Sequence, residues 1–123
     1  MDVWDFREYQ SATGRLPVSE WCEALSPGNQ ARADRFMRIA RQLERLEMPY
    51  FGKYQELLEA RWHGENNVPH RIFCYIPSGR RVIFLCGCTH KDKRYDPTNA
   101  YDTARGRRKE IQDRRASTRE FDF

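Results

Sequence analysis

Lysine is scarce in this chain. Of 22 lysines and arginines in 123 residues only four are lysines (Lys53, Lys91, Lys93 and Lys109), against 18 Asp and Glu, for a formal net charge of +4. The other eighteen cations are arginines, whose planar guanidinium suits bidentate contacts with phosphate or carboxylate. Net charge alone leaves a nucleic acid and an acidic protein both open as partners. Long apolar runs are missing too: none approaches the roughly eighteen residues of a membrane span, and the first residues lack a signal peptide's apolar stretch. A cytoplasmic protein with no membrane partner is expected. Cysteine is sparse, and Cys22, Cys74, Cys86 and Cys88 form no CxxC pair, so they are expected to be reduced and structural. No repeat or low-complexity linker divides the chain, and residues 1–123 read as one domain.

What is present is concentrated in the stretch from Arg81 to Pro97. It opens as a β-branched and apolar run, Val82 to Cys88, the composition of a buried strand. It then turns polar and delivers His90, Lys91, Lys93, Arg94 and Tyr95 within six positions, before Asp96-Pro97 reads as a helix start.

The remaining elements arrange around it. Asp2 to Gln10 alternates as a first strand. Pro17 opens a short helix with Val18, Trp21, Cys22 and Leu25 on one stripe. Ser26-Pro27 starts a longer one, expected to run to about Glu47 with Phe36, Ile39, Ala40, Leu43 and Leu46 buried. Its arginines at 32, 35, 38, 41 and 45 interleave with Asp34, Glu44 and Glu47, as on a solvated face with ion pairs. Tyr50 to Gln55 reads as a loop, 56–63 as a strand, and 68–88 as a hairpin turning at Pro77-Ser78-Gly79. A last helix from Asp96-Pro97 carries Ala100, Tyr101, Ala104 and Ile111 inward and frays into a basic 105–115 segment and a polar tail. The order β-α-α-β-β-β-α predicts an α+β fold, with two N-terminal helices and a C-terminal helix on one side of a small antiparallel β-sheet.

Strand alternation puts Arg71, Phe73 and Tyr75 on one face, Cys86, Cys88 and His90 on one face of the neighbouring strand, and Leu57, Glu59 and Arg61 together on a third. A sheet presenting Arg61, Arg71 and the 90–95 cluster suits RNA phosphodiester cleavage. That reaction needs a base for the 2′-hydroxyl, an acid for the leaving 5′ oxygen and cations for the charge on phosphorus. Two other chemistries are weaker. Cys86-x-Cys88-x-His90 lacks the paired turn ligands and the fourth partner of a zinc site, and alternate strand residues stand about 6–7 Å apart, too far for a Cys-His nucleophile pair. Blander roles also exist: His90 as a strand-end histidine, Tyr95 as a prop for the next helix, and Arg61 as an ion-pair partner of Glu59 or Glu56.

Four segments in order resemble the RelE/ParE superfamily of toxins, in its HigB-type, phage-associated branch. They are Pro17-Val18-Ser19-Glu20-Trp21 after Gly14, Glu56-Leu57-Leu58-Glu59-Ala60-Arg61, His70-Arg71-Ile72-Phe73-Cys74-Tyr75, and Ile83 to Lys91, followed by Pro97 and the helix carrying Ala104. The resemblance implies the toxin of a type II toxin–antitoxin pair. Such a toxin cuts mRNA on the ribosome with no metal and no cofactor, and a cognate antitoxin, often of the helix-turn-helix type, silences it. Carried over by position, Arg61, Arg71, His90 and Lys91 match family positions and Tyr95 stands near one. Arg71, His90, Lys91 and Tyr95 are then the catalytic candidates, and Arg61, with Lys93 and Arg94 of the 90–95 cluster, the phosphate-binding ones. Two departures stand out: histidine at 90 replaces a lysine, and Cys88 replaces an aromatic residue. Histidine titrates near neutrality and suits acid–base work. The alternative is a non-nuclease protein of the same fold, either a gyrase inhibitor or a phage-derived binding module.

Overall fold

The central hairpin sets the sheet. Strands β4 (Pro69–Tyr75) and β5 (Arg81–Lys91) pair antiparallel from Tyr75 opposite Ile83 to His70 opposite Thr89. β3 (Leu57–His63) adds to β4, and β2 (Phe51–Tyr54) adds to β3. On the other side β1 (Asp5–Gln10) runs parallel to β5, and β7 (Ser117–Glu120) pairs antiparallel with β1. The short β6 (Arg94–Asp96) folds back onto the end of β5. The computed structural model describes residues 2–123, apart from the side chain of Lys91. Among the described residues, three helices and a seven-stranded mixed sheet of order β2-β3-β4-β5-β1-β7 make an α+β fold.

The sheet is therefore larger than expected and not purely antiparallel, and the element order differs. The unread strands β2, β6 and β7 are 4, 3 and 4 residues long, too short for a period-two pattern to register. Helices also cover both faces rather than one. From α1 (Pro17–Glu23) and α2 (Pro27–Arg41), the side chains Val18, Cys22, Phe36 and Met37 pack with Phe6, Trp62, Ile72 and Phe84. From α3 (Ala100–Gln112), Ala100 and Ala104 pack on the opposite face with Phe73, Leu85 and Cys88. Two covered faces explain why β4 and β5 are apolar at successive rather than alternate positions.

A bulge decides which side chains of β5 reach the α3 face. Phe73 lies opposite Cys86 but Cys74 opposite Phe84, leaving Leu85 as the extra residue. Leu85 and Cys86 thus both join the α3-side core, and alternation beyond them brings Cys88 and His90 alongside Arg71 and Phe73. Gly87, on the other phase, lies under α1: a Cβ there would stand 2.4 Å from the Trp21 ring.

The helix ends differ from the sequence pattern for identifiable reasons. α2 stops at Arg41, short of Glu47, because the Arg41 carbonyl accepts from the Val3 and Trp4 amides at 2.9 and 3.1 Å. That carbonyl would otherwise accept from residue 45. Leu43 and Leu46 still reach the core from outside the helix, but Ile39 is 38% exposed. α3 begins at Ala100 because residues 94–96 are used as a strand. Helix α1 has no side-chain cap of its own; the buried Glu8 carboxylate of β1 accepts from the Ser19 amide at 3.0 Å instead.

Candidate active site

Glu59 is the centre of the polar chemistry on the α3 face. Its strand places it opposite Phe73, and Arg61 opposite Arg71, so all four side chains share that face. The carboxyl is 1% exposed, which requires both oxygens to be satisfied. The phenol of Tyr95 donates to one oxygen. Arg61 donates from Nη2 to the other at 2.7 Å. Arg61 reaches it by lying flat across Gly52 on β2, where a Cβ would stand 2.5 Å from the guanidinium carbon.

Aromatic rings wall this centre. Tyr54, Phe73, Tyr95 and Tyr101 meet with ring centroids 5.1 to 5.7 Å apart, mostly edge to face. The β5–β6 hairpin then sets His90 directly opposite Tyr95, and the imidazole stacks on the phenol ring at 4.9 Å with 22° between planes. The connection is two residues, Asp92 and Lys93, both with positive φ (47° and 67°), as a tight two-residue hairpin turn requires.

Two groups are electrostatically displaced. Burial, then the hydrogen bond to Glu59 and its charge, pushes the Tyr95 phenol well above its ordinary range. Tyr95 therefore stays protonated and acts as a donor. Burial also lowers the Arg71 guanidinium, with the Glu59 charge working against that shift. Arg71 donates to the His70 carbonyl at 3.1 Å, and no carboxylate among the described residues pairs with it. A half-buried cation without a counter-ion, beside a wall of π-faces, matches a ligand that carries phosphate and bases.

Four of the residues singled out from sequence thus come together: Arg61, Arg71, His90 and Tyr95. Lys93 is exposed at the turn, and Arg94 lies on the opposite phase of β6, lining a recess of about 490 Å³ with Asp92, Asp96 and one side of Tyr95. Neither joins the cluster. The backbone of Lys91 pairs with Arg94; its side chain lies outside the described residues. The pattern of the strand places Glu59 on a face with Leu57 and Arg61 and as an ion-pair partner of Arg61, without marking it as the centre of the site. The signal was present: a lone acid at the centre of the apolar strand Leu57-Leu58-Glu59-Ala60, on the same face as two arginines.

The cysteines and the basic segment are structural to a large degree. Cys86 and Cys88 pack in the core under α3, and burial raises both thiols. Arg107 donates to the Leu85 carbonyl at 2.8 Å and stacks on Tyr9, while Arg108 stacks on Tyr75. Arg105 pairs with Glu56 at 3.5 Å.

A family model matches most of this chain: Phage derived protein Gp49-like (DUF891), over residues 20–109. That range runs from α1 through α3 and contains Glu59, Arg61, Arg71, His90 and Tyr95. No curated protein and no solved structure matches.

Proposed function

Because this chain belongs to the phage-derived Gp49-like family, we propose that it is the toxin of a toxin–antitoxin pair and cleaves mRNA on the ribosome. The family is commonly associated with RelE- and HigB-type toxins. The observation that carries the reading is the placement of a buried carboxylate, Glu59, on the same sheet face as Arg71, a cation with no carboxylate bonded to it among the described residues.

In the proposed reaction Glu59 draws the proton from a 2′-hydroxyl as that oxygen attacks phosphorus, taking the place that the Tyr95 hydroxyl occupies at rest. The bond from phosphorus to the 5′ oxygen breaks, and His90 gives that oxygen its proton. Arg71 and Arg61 hold the non-bridging oxygens as charge grows on them. Lys91 is retained as a candidate stabiliser from its position at the end of β5. The products are a 2′,3′-cyclic phosphate and a 5′-hydroxyl, and no metal or cofactor takes part. Silencing falls to a cognate antitoxin, for which a helix-turn-helix protein is the expected class.

Induced expression in a bacterial host tests this. Growth arrest with mRNA fragments bearing 2′,3′-cyclic phosphate ends is expected, and Arg71→Ala should restore both growth and intact transcripts. Arrest with intact mRNA and a DNA-damage response would instead favour a gyrase inhibitor of the same fold and overturn the nuclease reading.

A further inference from the structure

Helix α2 lies on the sheet face opposite the Glu59 cluster, and its outer side is neither a solvated ion-pair face nor a closed core. Between α2 and the edge of β3 runs a groove of about 660 Å³. Phe36, Ile39, Tyr50 and Trp62 form its apolar part, and Arg32 and Arg35 stand on its rim. A second, shallower depression continues past Ile39 and Arg35 to Leu43. Ile39 is 38% exposed between the two, the apolar side chain that joins them.

The charges on the rim are unmatched. Arg38 pairs with Asp34 at 3.2 Å, and Arg41 turns inward over the Phe6 ring and donates to the Phe121 carbonyl at 2.7 Å. Among the described residues Arg32 and Arg35 have no acidic partner, and both are exposed. The acid at the far end of the groove, Glu65, is occupied: Ser26 donates to it at 2.8 Å. An apolar floor flanked by two unpaired guanidiniums on one side is complementary to a surface with apolar residues in the middle and carboxylates along one flank.

From this arrangement we propose that the α2–β3 groove docks an acidic amphipathic helix of a partner protein. Its apolar stripe covers Ile39 and the half-buried Tyr50 and Leu43, above the buried Phe36 and Trp62, and its carboxylates meet Arg32 and Arg35. α2 is 15 residues long, about 22 Å at 1.5 Å per residue, so the groove accepts three to four helical turns. A helix docked in a groove presents anchors at i, i+3 or i+4 and i+7; α2 faces it with Arg32, Arg35 and Ile39, and Leu43 follows just beyond the helix end. RNA fits this groove less well. A phosphate backbone would satisfy the arginines but leave Ile39 uncovered, and it has no need of an apolar floor. The proposal does not rest on the nuclease reading, because the groove and the Glu59 cluster lie on opposite sides of the sheet.

The test uses the isotope-labelled full chain and a designed 18-residue amphipathic helix with a leucine stripe flanked by glutamates. Amide and indole resonances are followed on titration. Expected are shifts confined to α2, β3 and the Trp62 indole, at least tenfold weaker binding for Arg32→Glu/Arg35→Glu and for Ile39→Asp, and unchanged binding for Arg114→Glu. Circular dichroism and the resonances of the opposite face report whether each variant is folded. The same peptide with lysines in place of the glutamates should fail to bind. The proposal is overturned by the absence of shifts, by shifts centred on His90 and Tyr95, by equal binding of the lysine peptide, or by an RNA oligonucleotide that moves the α2 resonances with higher affinity than the glutamate peptide.

Discussion

Tyr95 donates its phenolic proton to the buried carboxylate of Glu59, and the pair joins the short terminal strand β6 to the interior strand β3. Because the phenol is held protonated, Tyr95 orients the carboxylate by donating to it, and the proposed base is Glu59. Removing each should therefore have unequal effects. Glu59→Gln is expected to lower single-turnover cleavage of ribosome-bound mRNA by about 10²- to 10⁴-fold, the range for loss of a general base. Tyr95→Phe removes one hydrogen bond to a charged group, worth about 1.5–3 kcal/mol, and should cost at least tenfold yet less than Glu59→Gln. A larger loss for Tyr95→Phe would assign the proton transfer to Tyr95.

Gly52 is a positioning residue for Arg61. The edge strand β2 tolerates alanine in its backbone, but the new Cβ falls 2.5 Å from the Arg61 guanidinium, so the guanidinium must lift and its 2.7 Å bond to Glu59 must lengthen. Gly52→Ala should leave the urea midpoint close to wild type while reducing cleavage by about tenfold, the equivalent of one lost charge-assisted hydrogen bond. Combining it with Arg61→Ala should add no further loss, since the variant acts only through that side chain. An additive double variant would show that Gly52 matters for another reason.

Gly87 supplies space on the opposite face. Its position 2.4 Å from the Trp21 ring for a would-be Cβ leaves α1 no alternative seat, because Val18 and Cys22 are fully buried on the same stripe. Gly87→Ala should destabilise by about 1–3 kcal/mol through overpacking, read as a lower urea midpoint with an unchanged slope. A Trp21→Leu background should recover most of that loss. An undiminished effect in that background would mean that the glycine serves the β5 backbone and not the ring above it.

Strand faces were more legible in the sequence than the topology that assembles them. Arg61, Arg71 and His90 share a face because period-two alternation is local, and the β5 bulge at Leu85 happens to preserve their common side. The parallel pairing of β1 with β5 left no trace, since nothing in either strand encodes its neighbour's direction. β7 was hidden for another reason: Ser117–Glu120 is polar throughout, and its strand form depends on hydrogen bonds from Arg7 to Thr118 and on Phe121 seated against Phe84. The end of α2 was misplaced because the carbonyl that stops it is claimed by residues about forty positions earlier. Glu59 was readable as a buried acid, but only two-sided burial of β3 distinguishes it from a surface ion pair.

His70 makes the fold sensitive to mild acid. It is 2% exposed, lies edge-on to Trp21 and Trp62 at 5.7 Å from each, and its Nδ1 has no partner. Burial first, then the charges of Arg71 and His63, hold its pKa below the ordinary 6.5. The folded state thus binds this proton more weakly than the unfolded chain does. Its contribution to stability is complete above about pH 6.5 and is lost as pH falls through the folded value. Glu8 works in the opposite sense: burial raises its carboxyl above 4.5, so its contribution is present at low pH and is lost as pH rises through its folded value. Wild-type protein should therefore lose stability between pH 7 and 5 less steeply than Glu8→Gln, in which only the histidine term remains. His70→Phe keeps a flat ring between the two tryptophans and should remove the acid-side loss, leaving the Glu8 contribution, so that its urea midpoint at pH 5 is no lower than at pH 7. An acid-side loss as large in His70→Phe as in wild type would place the titrating group elsewhere.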